Sequence, residues 1–237
     1  MTTQILKQMI ILFLFATLFS EDNELSVSHI KQNLNDQFST IEDFSVDINL
    51  SVKMTGLRMP RKKVKLFFKQ PDLTKIESKG FALVPQYGLP LSPEFIFDTL
   101  SDVIIDSIDG RNHLLVMSGA LRLESDGEDI WNISENSSNT VRMRLSIDSK
   151  NWLITGFTIL VDDTEFLRSK MDYTKHEDGI FFPEQTRIEL SIPEEEEIRN
   201  FHMRDGSAPQ EGTITLQFSN FKWNQGLNES FFLEEAD

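Results

Sequence analysis

Residues 44–54 read Phe44-Ser45-Val46-Asp47-Ile48-Asn49-Leu50-Ser51-Val52-Lys53-Met54. Apolar side chains take every second place, and each residue between them is polar. A period of two sends alternate side chains to opposite faces of an extended chain, so this stretch is a β-strand with one apolar and one wet face. Just upstream the period changes. Ile30, Leu34, Phe38 and Ile41 recur at threes and fours, which predicts one amphipathic helix over Ser28–Phe44, with Ser26 or Ser28 capping its start.

Downstream the alternation returns. Val64, Leu66 and Phe68 stand between Lys63, Lys65 and Lys69, while Val141, Met143, Leu145 and Ile147 alternate with Arg142, Arg144 and Ser146. Leu153–Val161, Phe166–Tyr173, Thr186–Ile192 and Thr213–Trp223 read as further strands. Asp148-Ser149-Lys150-Asn151, Asp162-Asp163 and Glu177-Asp178-Gly179 carry the chemistry of tight turns between them. Pro85–Pro93 interrupts the pattern with three prolines, and Ser92-Pro93-Glu94 then opens a short helix, serine at the cap and proline in the first turn. Its expected apolar face is Phe95, Ile96, Leu100, Val103 and Ile104. Pro193–Glu211 is a charged loop with four consecutive glutamates, Glu194–Glu197. The expected fold is mainly β (α+β): a large curved antiparallel sheet of about ten strands, one N-terminal helix and one inserted helix.

Two short helices are little cover for so broad an apolar face in a chain with 19 phenylalanines. A hydrophobic cavity is therefore expected between the concave face and the inserted helix, lined by Val46, Ile48, Leu50, Leu66, Phe68, Phe95, Ile96 and Leu100. A packed β-core that binds nothing fits the same pattern, because alternation tells which face is buried but not by what.

The start of the chain reads as an address. Lys7 precedes an unbroken apolar run of eleven residues, Met9–Phe19, and Glu21, Asp22 and Glu24 follow it. Such a run is too short for a membrane span, which takes roughly 20 residues, and suits a secretory signal cut after Ser20; an uncleaved N-terminal anchor is the alternative. Residues 21–237 then form a single domain, exported and soluble in the periplasm. Without cysteine the chain has neither disulfides nor a site for its own lipidation. Twenty-three basic residues less Lys7 against 38 acidic ones leave the mature chain at about −16. That balance disfavours nucleic acid and anionic membrane surfaces as direct partners.

Enzymatic chemistry finds no foothold. His29, His113, His176 and His202 are scattered without metal-ligand spacing, and no nucleophile elbow or phosphate-binding glycine loop occurs. Asp126-Gly127-Glu128-Asp129 and Glu194–Glu197 lack the spacing of a calcium loop. No catalytic residue, metal or cofactor is assigned, although paired carboxylates could meet in space. Asn49, Asn132, Asn136 and Asn228 lie in glycosylation sequons, which matter only in a secretory eukaryote.

Three segments resemble the LolA family of periplasmic lipoprotein carriers. One is Lys69-Gln70-Pro71-Asp72-Leu73 after a basic strand; another is Tyr173 with Gly179-Ile180-Phe181-Phe182-Pro183 and Thr186-Arg187-Ile188. The third is Phe218-Ser219-Asn220-Phe221-Lys222-Trp223-Asn224 with Leu227 and Phe231. Their order carries the resemblance across most of residues 27–233. It implies a half-open antiparallel β-barrel lidded by helices, whose apolar interior shields the acyl chains of a lipoprotein or other lipid ligand. It implies a monomer exchanging cargo with membrane-bound donor and acceptor proteins; lipid binders and envelope-stress sensors share the fold. In the carrier, an arginine immediately before the proline helps hold the lid closed. Here that lid contact falls to Gln70, an amide with no charge and fewer donors. Lys69 and Lys75 stand nearby as substitutes or as solvated strand lysines.

Overall fold

The computed structural model describes residues 25–54, 57–58, 60–78, 92–122, 140–191 and 211–233. The apolar leader, the Pro85–Pro93 stretch up to residue 91 and nearly all of the glutamate-rich loop lie outside these residues.

Helix α1 (Val27–Ser39) starts where Ser26 Oγ accepts from His29 N at 3.2 Å, the capping arrangement expected of a serine before an amphipathic run. It buries Ile30 and Leu34 almost completely, each contributing about 1.5–3 kcal/mol of apolar transfer. The helix is shorter than its periodicity predicts. It ends at Ser39, Ile41 lies in the connector, and the first strand has begun by Asp43.

Strands β1 (Asp43–Met54), β2 (Leu57–Arg58), β3 (Lys62–Lys69) and β4 (Leu73–Ser78) follow. In β1 and β3 the predicted alternation holds: Val46, Ile48 and Leu50, then Val64, Leu66 and Phe68, are buried, while Lys63 and Lys65 face water. Helix α2 (Pro93–Asp98) is capped by Ser92 Oγ accepting from Phe95 N at 3.1 Å. It is only six residues long. Leu100, Val103 and Ile104, expected on its apolar face, belong instead to strand β5 (Leu100–Asp109). The β-branched run Val103-Ile104-Ile105 favours a pleated surface and overrides the three-four spacing.

Strands β6 (Leu114–Leu121), β7 (Val141–Asp148), β8 (Leu153–Val161), β9 (Thr164–Lys175), β10 (Phe181–Ser191) and β11 (Glu211–Trp223) complete the sheet, and a short helix α3 (Glu229–Leu233) closes the described chain. Each predicted turn is present. Asp162 and Asp163 both have positive φ (49° and 65°) between the paired residues Val161 and Thr164, a two-residue hairpin turn whose twist matches the strands. Asp148 holds the next turn by accepting from Lys150 N and from the Asn151 side-chain amide at 2.8 and 2.7 Å.

Ten strands run in the order β4-β3-β1-β11-β10-β9-β8-β7-β6-β5, every pair antiparallel, with β2 an extra partner of β1. The ends of this order, β4 and β5, do not pair with each other, so the sheet is a half-open barrel with an N-terminal helix and an inserted helix on its apolar face. The apolar interior is in two parts. Ile30, Leu34 and Phe97 join β5–β10 in one cluster, while Ile41 and Phe44 join β1, β3, β10 and β11 in the other. Helix α1 spans both, with Leu34 in the first and Phe38 packed against the second.

Candidate functional site

Where α1 crosses the sheet, an apolar groove stays open. One wall is α1, through Leu34, Gln37 and Phe38, with Ile41 of the connector after it; a second is the start of α2, through Ser92, Pro93 and Ile96. Its floor is Trp152, Leu153 and Ile154 at the start of β8, Tyr173 on β9, and Phe181, Phe182 and Pro183 at the start of β10. The enclosed space is about 60 Å³, room for about two waters. A space of this size is too small for an acyl chain. One polar group of its floor is already satisfied: Tyr173 donates its hydroxyl proton to Ile154 O at 2.9 Å, and burial pushes its pKa above the ordinary 10.0.

The eight lining residues expected from sequence do not converge on one cavity. Val46, Ile48, Leu50, Leu66 and Phe68 are buried in the second cluster. Leu100 is buried in the first, with Ile96 packed against it. Ile96 is the one of the eight that lines the groove. Phe95 is 51% exposed, and its neighbour Phe97 is the buried aromatic of α2, at 3%. A helix of six residues gives the spacing rule too few turns to fix its phase. Tyr173 and Phe181-Phe182-Pro183 belong to segments that carried the family resemblance, so part of the floor had a signal; Trp152 had none beyond following a turn.

Gln70 occupies the turn between β3 and β4 and points at carbonyls of the last turn of α1 and the connector after it. Its Nε2 donates to Ile41 O at 2.7 Å and more weakly to Phe38 O at 3.3 Å, and its backbone N–H donates to Glu42 O at 2.9 Å. Asn224, just past β11, works from the other side. Its Nδ2 donates to Thr40 O at 3.0 Å and its Oδ1 accepts from Glu42 N at 2.7 Å. The carbonyls of Thr40 and Ile41, in the connector that leaves α1, thus take their donors from two neutral side chains, and Phe38 O, which already accepts from Ile41 N, takes a further long bond.

The base of this latch is Asp43. It is 2% exposed, and its carboxylate accepts from the backbone N–H groups of Gln225, Gly226 and Leu227 at 2.7, 2.8 and 2.9 Å. Gly226, at φ 71°, supplies the left-handed turn that aims these amides at one carboxylate. Lys69 and Lys75 are engaged in the same region. Their ammonium groups donate to Leu227 O at 2.6 Å and Phe231 O at 2.9 Å, and Lys75 lies 4.4 Å from the Phe231 ring centre. The C-terminal segment is thus fastened to the outer side of β3 and β4, and the α1 terminus to both.

Among the described residues no cluster of His, Asp or Glu is arranged to hold a metal ion. His176 packs against Phe221 and Trp223, with ring centres 5.2 and 5.6 Å away.

No family model matches the sequence, and no curated protein matches it. Solved structures do resemble the fold. A DUF1329 family protein from Desulfovibrio piger superposes with a TM-score of 0.52 at 14% identity, over 87% of this chain and 96% of its own. A domain from Vibrio parahaemolyticus, described as outer membrane lipoprotein-sorting, gives 0.51 at 9% identity, over 85% and 95%. A LolA superfamily protein from Nitrosomonas europaea gives 0.45 at 10% identity, over 85% and 96%. At these identities what the chain shares with the Desulfovibrio and Vibrio proteins is the fold.

Proposed function

We propose that this chain is an exported binding protein, not an enzyme, which shields the acyl chains of lipoproteins between α1 and the concave sheet face for transfer to the outer membrane. The observation that carries the reading is the manner in which the interior is covered. Two apolar clusters of a half-open barrel share α1 as their roof, a groove already opens along it, and its C-terminal end is fastened by neutral hydrogen bonds. A roof held this way opens at modest cost, since each neutral bond contributes about 0.5–1.5 kcal/mol net.

The resemblance to the Vibrio domain, described as outer membrane lipoprotein-sorting, supports a lipoprotein as cargo, and the proposal places a monomer in the periplasm between donor and acceptor proteins of the two membranes. Among the described residues no helix is long and apolar enough to cross a membrane. Native mass spectrometry of protein purified from the envelope tests the reading. Co-purified or titratable acylated ligand at one per chain is expected; a chain that takes up none, with both clusters unchanged in the presence of lipid, defeats it.

A further inference from the structure

The middle of the concave face holds two hydroxyls where apolar groups are expected. Ser169 on β9 is 3% exposed and Thr186 on β10 is fully buried. Their strand neighbours Arg168, Lys170, Gln185 and Arg187 face the other way, so alternation turns both hydroxyls into the interior. Pairing fixes what surrounds them. Thr186 stands in one row between Met171 on β9 and Leu216 on β11, and Ser169 in the adjacent row between Phe157 on β8 and Ile188 on β10. Met171, Phe157 and Ile188 belong to the first apolar cluster and Leu216 to the second, so Thr186 sits on the seam between the two. Neither hydroxyl oxygen has a hydrogen-bond partner among the described residues.

We infer that Ser169 and Thr186 form a polar anchor for the carbonyl oxygen of an O-acyl ester or N-acyl amide, with the attached hydrocarbon lying along the flanking clusters. A hydroxyl shut away from water without a partner is costly, whereas valine and alanine fill the same volumes at no such cost. A carbonyl arriving with an acyl chain supplies the missing acceptor, and two neighbouring donors match its two lone pairs. Both hydroxyls are shut away from solvent, so they engage cargo only once what covers this part of the interior has moved. This inference rests on the acyl-binding reading above and adds to it where the polar head of the chain is held.

The test compares monopalmitoylglycerol with its ether counterpart, hexadecylglycerol, which keeps the chain and the glycerol but lacks the carbonyl. The wild-type protein is expected to bind the ester about tenfold more tightly than the ether, the effect of one well-made buried hydrogen bond. Thr186→Val and Ser169→Ala, singly and together, should erase that preference while leaving ether affinity unchanged. Both variants should unfold at the wild-type temperature or above it, because no bond of the free protein is lost. A dipalmitoyl lipopeptide and its diether form are run in parallel. A carbonyl preference in the lipopeptide pair alone places the anchor on a lipoprotein and one in the glyceride pair alone on a free glycerolipid, and either supports the assignment. Equal affinity of ester and ether in the wild type overturns it, as does a preference that survives both substitutions. Variants that unfold well below the wild type also overturn it, since the hydroxyls would then serve the fold. Failure of the wild type to bind any of the four lipids removes the acyl-binding reading itself, and the anchor with it.

Discussion

Gln70 and Asp43 differ in what their loss does. Asp43 is a buried carboxylate whose three acceptor bonds all go to backbone amides of one turn. Asp43→Ala strands those amides and should lower stability by about 3 kcal/mol or more, read as a shift in the urea midpoint. Gln70→Leu removes one good and one long bond to the α1 terminus and should cost about 1 kcal/mol. Its larger effect is expected on cargo release, several-fold faster in a stopped-flow displacement of a fluorescent fatty acid. Gln70→Arg, with more donors facing the same carbonyls, should slow release; unchanged release in both variants would show that the α1 terminus does not gate the groove. Tyr173 supplies a pH dependence. Because burial raises the folded-state pKa of an acid that is neutral below 10.0, its contribution is complete below that value and is lost as pH climbs above it. Tyr173→Phe should therefore flatten the alkaline limb of the stability profile while costing about 1 kcal/mol at neutral pH through the lost bond to Ile154. The resemblance puts a lid contact at the position before Pro71, and in the structure Gln70 there meets Ile41 O and Phe38 O at the end of α1 and the connector that follows. That the partner would be the end of α1 was not legible, because periodicity carried α1 on to Phe44 and so hid where its carbonyls end.

The elements differ in how plainly they are written. β1 and β3 are read from six and three strict alternations, and the apolar residues so assigned are buried up to Leu50 and Phe68, though Ser45, read as facing water, is buried with them. β8 is matched at both ends. β5 is the failure. Leu100, Val103 and Ile104 fit a helix by spacing, yet a sheet edge was waiting for them, and tertiary pairing with β6 decides in favour of the strand. β4 and β6 escaped notice since neither alternates cleanly over a long run. The division of the interior into two clusters was also invisible, because it depends on where α1 crosses strands far apart in sequence. The hairpin between β8 and β9 allows a check on local strain. Asp162 Oδ1 accepts from Thr140 N at 2.7 Å and must be kept, whereas Asp163 has a positive φ of 65°. Asp163→Gly should raise stability by about 0.5 kcal/mol. A fall in melting temperature would show that the Asp163 side chain has a role beyond the turn.

For the molecule as a whole, the proposed function makes cargo binding and cargo release one motion of α1 across the half-open barrel, taken in two directions. Export belongs to this scale too: the mature chain recovered from the periplasm should begin near Glu21, and intact Met1 in the membrane pellet would point to an anchor instead. A protein that hands on cargo must not hold it too firmly, and neutral bonds at the α1 terminus fit that need better than a buried ion pair would. The most direct measurement is the position of the acyl chain itself, from intermolecular nuclear Overhauser effects between a dipalmitoyl lipopeptide and the methyl-labelled full mature protein. The account predicts contacts from the chain methylenes to Leu34 and Ile96 at the groove and to Ile188 and Leu216 beneath it, with α1 amide resonances shifting on loading. Contacts confined to the outer surface around Phe231 and Phe232, or saturating lipopeptide with no contact to the concave face, would contradict it.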